Sequence, residues 1–344
     1  MSWYNNSASD DAIVLFSEAR YSRNLAALPF DLCQNDKAFR DIEARMENIL
    51  TKNGFKCERL TEGVSVYALS LVEKQFIGNG TAHAAHTRTV YVNDPCNLVV
   101  SLGGSDHLSI RSVLSGRSIA EAKNSASKAE ELLDRDIDFA FSERIGYLSK
   151  RPTDCGSGMT LRACLYMPSL RHGGEYERLR VQLLRLGVTL SPLLSGAQNE
   201  GDLYTVAHTL PYLSDEDAVT ERFSTLVDKL SANELRALRM LYPDGSPTIC
   251  DRAARAFGIM SYATRLGECE LLSFISDIRI ALCLDCAENI AIGISDLNLL
   301  CIEGLSCSLM CAADQKCESL IDCERLRSAF VKKYISSRVS PAGI

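Results

Sequence analysis

The sequence predicts an α+β fold: an antiparallel sheet flanked by helices over residues 1–230, then an all-helical region over 231–344. Three observations carry this. Short β-type runs at Val64–Leu69, Arg88–Asn93 and Asn97–Leu102 are bounded by turn residues. No helical period separates the last two, so they suit adjacent antiparallel strands rather than a βαβ series. Apolar residues at helical spacing recur elsewhere, and from Ser214 onward the helical pattern is almost uninterrupted.

In chain order, Asn35-Asp36 precedes a first helix marked by Phe39, Ile42, Met46 and Ile49 and closed by Gly54. The three strands follow, then helical signals over Ile119–Leu133 and Tyr176–Leu186, the latter stopped by Gly187. Ser214-Asp-Glu-Asp217 resembles a capping box with Asp in the fourth place, ahead of Val219, Phe223, Leu226, Val227 and Leu230. Tyr242-Pro-Asp-Gly-Ser-Pro247 is the clearest breaker in the helical region, and the domain boundary is expected near Ser231.

At 344 residues the length suits about two domains, and 46% hydrophobic with 24% charged residues is ordinary for a soluble globular protein. Lys plus Arg number 37 against 44 Asp plus Glu, a net charge of -7 that argues against non-specific nucleic-acid or anionic-membrane binding. No basic segment followed by an apolar run opens the chain, so no secretory signal is expected. The most hydrophobic stretch, about Leu271–Ala313, is interrupted by Asp277, Arg279, Asp285, Glu288, Asp296 and Glu303, so no membrane span is expected. The expectation is a cytoplasmic protein with reduced thiols.

The unusual count is 14 cysteines, nine of them from Cys250 onward. Cys283-Leu-Asp-Cys286 is a CxxC, but a zinc ribbon or finger needs a second close pair at matching spacing. Cysteines at helical spacing pack as small apolar residues, and no metal site is expected. Cys155-Gly-Ser-Gly-Met159 lacks the lysine of a phosphate-binding P-loop, and Gly103-Gly104 opens no dinucleotide fingerprint.

Other segments carry a resemblance. They are Trp3, Ala12–Leu25 with Pro29-Phe30, Asn97–Ile110, Asp138–Leu148, Arg151–Ala163, Leu186–Leu190 and Gly201–Tyr204. In order and spacing, these resemble the ATP:guanido phosphotransferase family, nearest its bacterial protein-arginine kinase branch. Arg252–Ile259 and the helix beyond it look like the helical C-terminal domain of that branch. The resemblance implies a guanido-kinase-type catalytic domain, Mg-ATP as phosphoryl donor and a guanidinium acceptor. Such chemistry needs arginines to clamp the phosphates, and two carboxylates to hold and deprotonate a group whose pKa exceeds about 12.

Against the family pattern, the chain departs at the chemical positions. Ser-Ser-Arg-Ile-Arg reads Phe16-Ser17-Glu18-Ala19-Arg20, which keeps Arg20 but reverses the charge at Glu18. Asn-Glu-Glu-Asp-His-Leu-Arg reads Gly103–Ser109, so one carboxylate position is Ser105 and one phosphate arginine is Ser109. Arg111 is shifted by two residues and is not taken as its substitute. The substrate-side cysteine is Arg151, the loop arginine is Leu190 and the second carboxylate is Gln198. A histidine near the nucleotide corresponds to Gln75. The resemblance leaves Ser17, Arg20, Arg162 and the backbone of Ala163, Cys164 and Leu165 as nucleotide-contact candidates, and no catalytic residue in its family place. Spare acids stand at Asp106, Asp154, Glu200 and Asp202, and His107 reads as a structural histidine.

Three functions are therefore expected in order. The first is a catalytically degenerate protein-arginine kinase homologue, a pseudokinase that acts by binding proteins. The second is an active ATP-dependent protein-arginine kinase with relocated residues. The third is a thiol or metal sensor built on the cysteine-rich helices. No cofactor is firmly implied beyond ATP with Mg if activity is retained. The partners the resemblance implies are a zinc-binding adaptor or a protein-unfolding ATPase, with a homodimer as a further expectation and no nucleic acid.

Overall fold

The computed structural model of the chain describes residues 3–5, 11–26, 28–30, 37–60, 65–83, 88–93, 97–194, 201–210, 214–243, 247–287 and 290–338. The fold is α+β. The first elements are β1 (Val14–Arg23), α1 (Lys37–Lys52), β2 (Phe55–Leu60), α2 (Val66–Glu73), α3 (Asn79–Ala82), β3 (Arg88–Asn93), β4 (Leu98–Leu102) and β5 (Leu108–Ser115). Then come α4 (Ile119–Asp134), the two-residue strands β6 (Phe141–Ser142) and β7 (Gly146–Tyr147), β8 (Met159–Tyr166), α5 (Pro168–His172), α6 (Tyr176–Leu184), β9 (Val188–Pro192) and β10 (Leu203–Thr209). The remainder is helical: α7 (Glu216–Leu241), α8 (Pro247–Tyr262), α9 (Glu268–Cys283), α10 (Ile294–Glu303), α11 (Ser306–Ala313) and α12 (Leu320–Arg338). No single described helix is long and apolar enough to cross a membrane.

The eight long strands run in the order β2-β3-β4-β5-β1-β8-β10-β9, and the pairs from β2 to β1 are antiparallel. The chain divides into two compact units, one of residues 1–3, 16–163 and 207–227, the other of 4–15, 164–206 and 228–344. Residues 1–230, assigned to one domain by sequence, are thus shared between both units, and Ser231 lies inside the continuous helix α7.

In the first unit, Ala19, Tyr21, Ile110 and Val113 are buried on the strands, and α4 buries Ala122, Ala126, Ala129 and Leu133 at helical spacing. Gly158 has φ +65°, and a Cβ there would stand 2.7 Å from the carbonyl oxygen of Ser22. The glycine-rich run 155–159 therefore lets this chain segment approach the end of β1, where Ser22 N–H donates to Gly158 O at 2.9 Å. In the second unit, α9 buries Leu271, Leu272, Ile275 and Ile278. A Cβ on Gly304 would stand 2.5 Å from the Leu300 carbonyl oxygen as well as from Leu271 Cδ2, so only glycine permits that packing. Arg327, 1% exposed, donates to the carbonyls of Gly304 at 2.7 Å and Leu266 at 3.0 Å, tying α12 to the helix ends around it.

Two local expectations are corrected. Residues from Val64 were expected as a strand, yet Val66–Glu73 is helix α2. Ser65 caps it, its Oγ accepting from Ala68 N–H at 3.1 Å, and Ala68 and Leu71 bury one helical face. The β propensity of Val66 and Tyr67 yields to a capped, half-buried helix. The cap of α7 is Asp215 rather than Ser214: its Oδ1 accepts from Asp217 N–H at 3.0 Å and Ala218 N–H at 3.1 Å. The Asn35-Asp36 signal before α1 lies outside the described residues.

Candidate functional site

Alternation along β1 puts Phe16, Glu18, Arg20 and Ser22 on one face of the sheet. On β5, Val113 stands opposite Glu18, Arg111 opposite Arg20 and Ser109 opposite Ser22, so the same face carries Arg111 and Ser109. β8, the neighbour of β1 on its other side, adds Thr160 and Arg162. The result is a carboxylate with three guanidinium groups around it.

Glu18 is 3% exposed. Its Oε2 accepts from Arg162 Nε at 2.8 Å and also from Arg162 Nη2, and Arg111 Nε lies 3.4 Å from Oε1. Gln75, in the left-handed conformation at φ 65° after α2, serves both arginines. Its side-chain oxygen accepts from Arg162 Nη2 at 2.8 Å, and its backbone oxygen accepts from Arg111 Nη1 at 3.0 Å. Arg162 also lies over the Phe16 ring, 5.2 Å from its centroid. Arg20 is less engaged, with a single long donation from Nη2 to Thr160 Oγ1 at 3.4 Å.

Electrostatics follow from this arrangement. Burial pushes the Glu18 carboxyl up, but Arg111, Arg162 and Arg20 outweigh it and hold the group below the ordinary carboxylate range. Burial is also the main cause that brings Arg111 down to about 10, against the pull of Glu18. Glu18 therefore stays ionised, as the internal counterion of a cationic sheet face.

The other residues singled out by sequence are dispersed. Ser17 is fully buried on the opposite face, its Oγ donating to Gly116 O at 2.7 Å and accepting from Ser118 N–H at 3.1 Å. Ala163, Cys164 and Leu165 are fully buried in β8, an interior strand whose main-chain groups belong to the sheet ladder. Ser109 is half-buried, and Ser105 is exposed in the β4–β5 turn. Leu190 is buried in β9, and Gln198 and Glu200 lie outside the described residues. Arg151 is exposed and ion-paired to Asp154.

Ser105 and Arg151 come onto adjoining loops. Asp106, next to Ser105, accepts from Ser149 Oγ at 2.8 Å and Lys150 N–H at 3.2 Å, and from Asn24 Nδ2 at 2.8 Å. His107 accepts from Leu25 N–H at Nδ1 and donates from Nε2 to Pro29 O, at 3.0 Å each. Burial lowers its pKa, so it is a neutral ring spent on backbone bonds. In the second unit Asp202, fully buried, is paired to Arg171 at 2.7 Å and accepts from Ser276 Oγ at 2.6 Å. Each described spare acid is thus committed to a structural partner.

Sequence reasoning set Arg111 aside for a shift of two residues along the chain. In a strand that shift preserves the face, and the structure puts Arg111 beside Glu18. The period of two was the signal that could have kept it. No group of three or more His, Cys, Asp or Glu able to hold a metal occurs among the described residues.

Residues 38–237, more than half of the chain, match the family model for the ATP:guanido phosphotransferase C-terminal catalytic domain. A protein-arginine kinase of Caldanaerobacter subterraneus subsp. tengcongensis is 27% identical over 282 residues, covering 80% of this chain and 84% of that protein. One from Halothermothrix orenii is 25% identical over 306 residues, covering 87% of each. Among solved structures, the duplicated taurocyamine kinase of Schistosoma mansoni shares 16% identity with a TM-score of 0.56, over 76% of this chain and 38% of that one. Lombricine kinase shares 15% identity with a TM-score of 0.54, over 66% and 67%. These structural likenesses concern the fold alone. With its antiparallel sheet, and with the family match running from α1 into α7, this chain belongs to the ATP:guanido phosphotransferase family.

Proposed function

We propose that this protein is a pseudokinase of the protein-arginine kinase type, which keeps the phosphotransferase fold and acts by binding other proteins. One observation carries the reading: Glu18, at a position where the family pattern has an arginine, is buried against Arg162 and Arg111. A carboxylate there occupies the donors that would meet phosphate oxygens and repels the phosphate as well. Arg20 remains, with one weak contact, but a triphosphate needs several donors converging on it. The residues of this face do not fit a triphosphate.

An active kinase with relocated acids gains nothing from Asp106, Asp154 or Asp202, since each already holds a partner. The sensor reading draws on the thiols of Cys250 and Cys286, and of Cys317 and Cys323, which lie close enough to hydrogen-bond in pairs. Burial is the largest cause that raises the thiols of Cys286 and Cys323, which disfavours the reactive thiolate there. The partners that fit the pseudokinase are those of the resemblance, a zinc-binding adaptor or a protein-unfolding ATPase.

The test is titration of the purified chain with Mg-ATP, together with a phosphotransfer assay on an arginine-containing protein. No phosphoarginine should form. Transfer that Arg162→Ala abolishes would overturn the reading, whereas capture of an adaptor or unfolding ATPase without transfer supports it.

A further inference from the structure

A second cluster lies in the other unit. A cavity of about 260 Å³ is lined by Leu170, Leu179, Leu230 and Ala237 together with Glu234. Its walls come from α5, α6 and α7. Glu234 is 4% exposed and has no cationic partner among the described residues. Its oxygens accept from Ser169 N–H at 2.8 Å and from Ser169 Oγ, both neutral donors. Each carboxylate oxygen has a second lone pair, so accepting capacity remains.

A buried carboxylate with only neutral partners is costly, and natural interiors rarely keep one without a counter-charge. The cost is visible here: burial pushes the Glu234 carboxyl up to about 7, and the negative charge of Asp202 adds to the shift. Arg178, the one cation on the rim, points its guanidinium to Glu175 at 3.2 Å and is 73% exposed, so it does not compensate Glu234. The cavity therefore offers apolar side chains, with polar Gln182 and Asn233 beside them, and a carboxylate without a cationic partner among the described residues, the complement of a short alkyl chain ending in a cation.

We propose that this cavity is a binding site for an alkyl cation, an ammonium or guanidinium group on a short apolar stem, with Glu234 as its counter-charge. The inference does not rest on the pseudokinase reading, which concerns the face around Glu18. The stem would pack against Leu170, Leu179 and Leu230, and the cationic head would donate to the free lone pairs of Glu234. Such a ligand could be a free amine or the side chain of a peptide residue, which share this chemistry.

The test is calorimetric and NMR titration of the full chain with n-butylammonium and n-butylguanidinium, with the uncharged isostere n-butylurea as control. Saturable binding of at least one cation is expected, with n-butylurea weaker by roughly tenfold or more. Glu234→Gln keeps an acceptor for Ser169 but removes the charge. Ala237→Phe keeps the charge but fills the cavity. Both should lose the binding while retaining the wild-type circular dichroism spectrum. Agmatine and N-acetylarginine methylamide in the same titration separate the sources, tighter binding of the first pointing to a free amine and of the second to a peptide side chain. The proposal is overturned if neither butyl cation saturates, if n-butylurea binds equally well, or if binding survives in either variant.

Discussion

Glu18 is held by geometry that removes its freedom to be anything but an anion. Removing it should strand Arg111 and Arg162 in a desolvated place, and deleting one member of a buried pair costs roughly 3–5 kcal/mol. Glu18→Ala should show this loss in urea unfolding, and inorganic phosphate should restore part of it by mass action while leaving the wild type unchanged. If phosphate does not stabilise the variant, the Glu18 carboxylate is not standing where an anion fits. Glu234 gives the second expectation at this scale. Its folded pKa of about 7 lies above the ordinary 4.5, so the folded state binds more protons than the unfolded state between those values. Stability is then fully present below the unfolded pKa and falls as pH rises through about 7, by up to roughly 3 kcal/mol. Glu234→Gln should flatten this dependence in denaturation curves at about pH 5 and about pH 8.

Among the elements, the ends of helices decide more than their middles. Asp215 satisfies two N–H groups at the start of α7, whereas Ser214 caps nothing in that turn. Asp215→Ala should cost about 1 kcal/mol in equilibrium unfolding, and Ser214→Ala less than about 0.5 kcal/mol. The reverse order would return the cap to Ser214. The same physics explains α2, where Val66-Tyr-Ala-Leu69 has strand-type composition but Ser65 closes the first turn and Ala68 and Leu71 bury one face. α1, α4 and α6 were legible because their apolar period runs over their length, and β3 and β4 because they are short β-type runs bounded by turn residues. The strands β1, β5 and β8 were not read as strands from the pattern, since burial on both faces erases the alternation that marks a half-exposed strand.

For the whole molecule, the thiols offer a direct check. Cys269 is exposed, while Cys164, Cys283 and Cys301 are buried, and burial raises Cys283 to about 12 and Cys301 to about 11. An aromatic disulfide reagent should modify Cys269 early and reach those three only after denaturation. Early reaction at Cys283 would show that this part of α9 opens in the native state. The sequence by itself determined the fold class and the family, because these depend on composition, order and spacing along the chain. It also put a carboxylate, Glu18, in the run that resembles the family's Ser-Ser-Arg-Ile-Arg motif. Only the tertiary structure decided where that charge goes, since β1, β5 and β8 are far apart in sequence and become neighbours through strand pairing alone. The same holds for Glu234 on α7: its loneliness is a property of the side chains folded around it, and no local pattern records the absence of a cation.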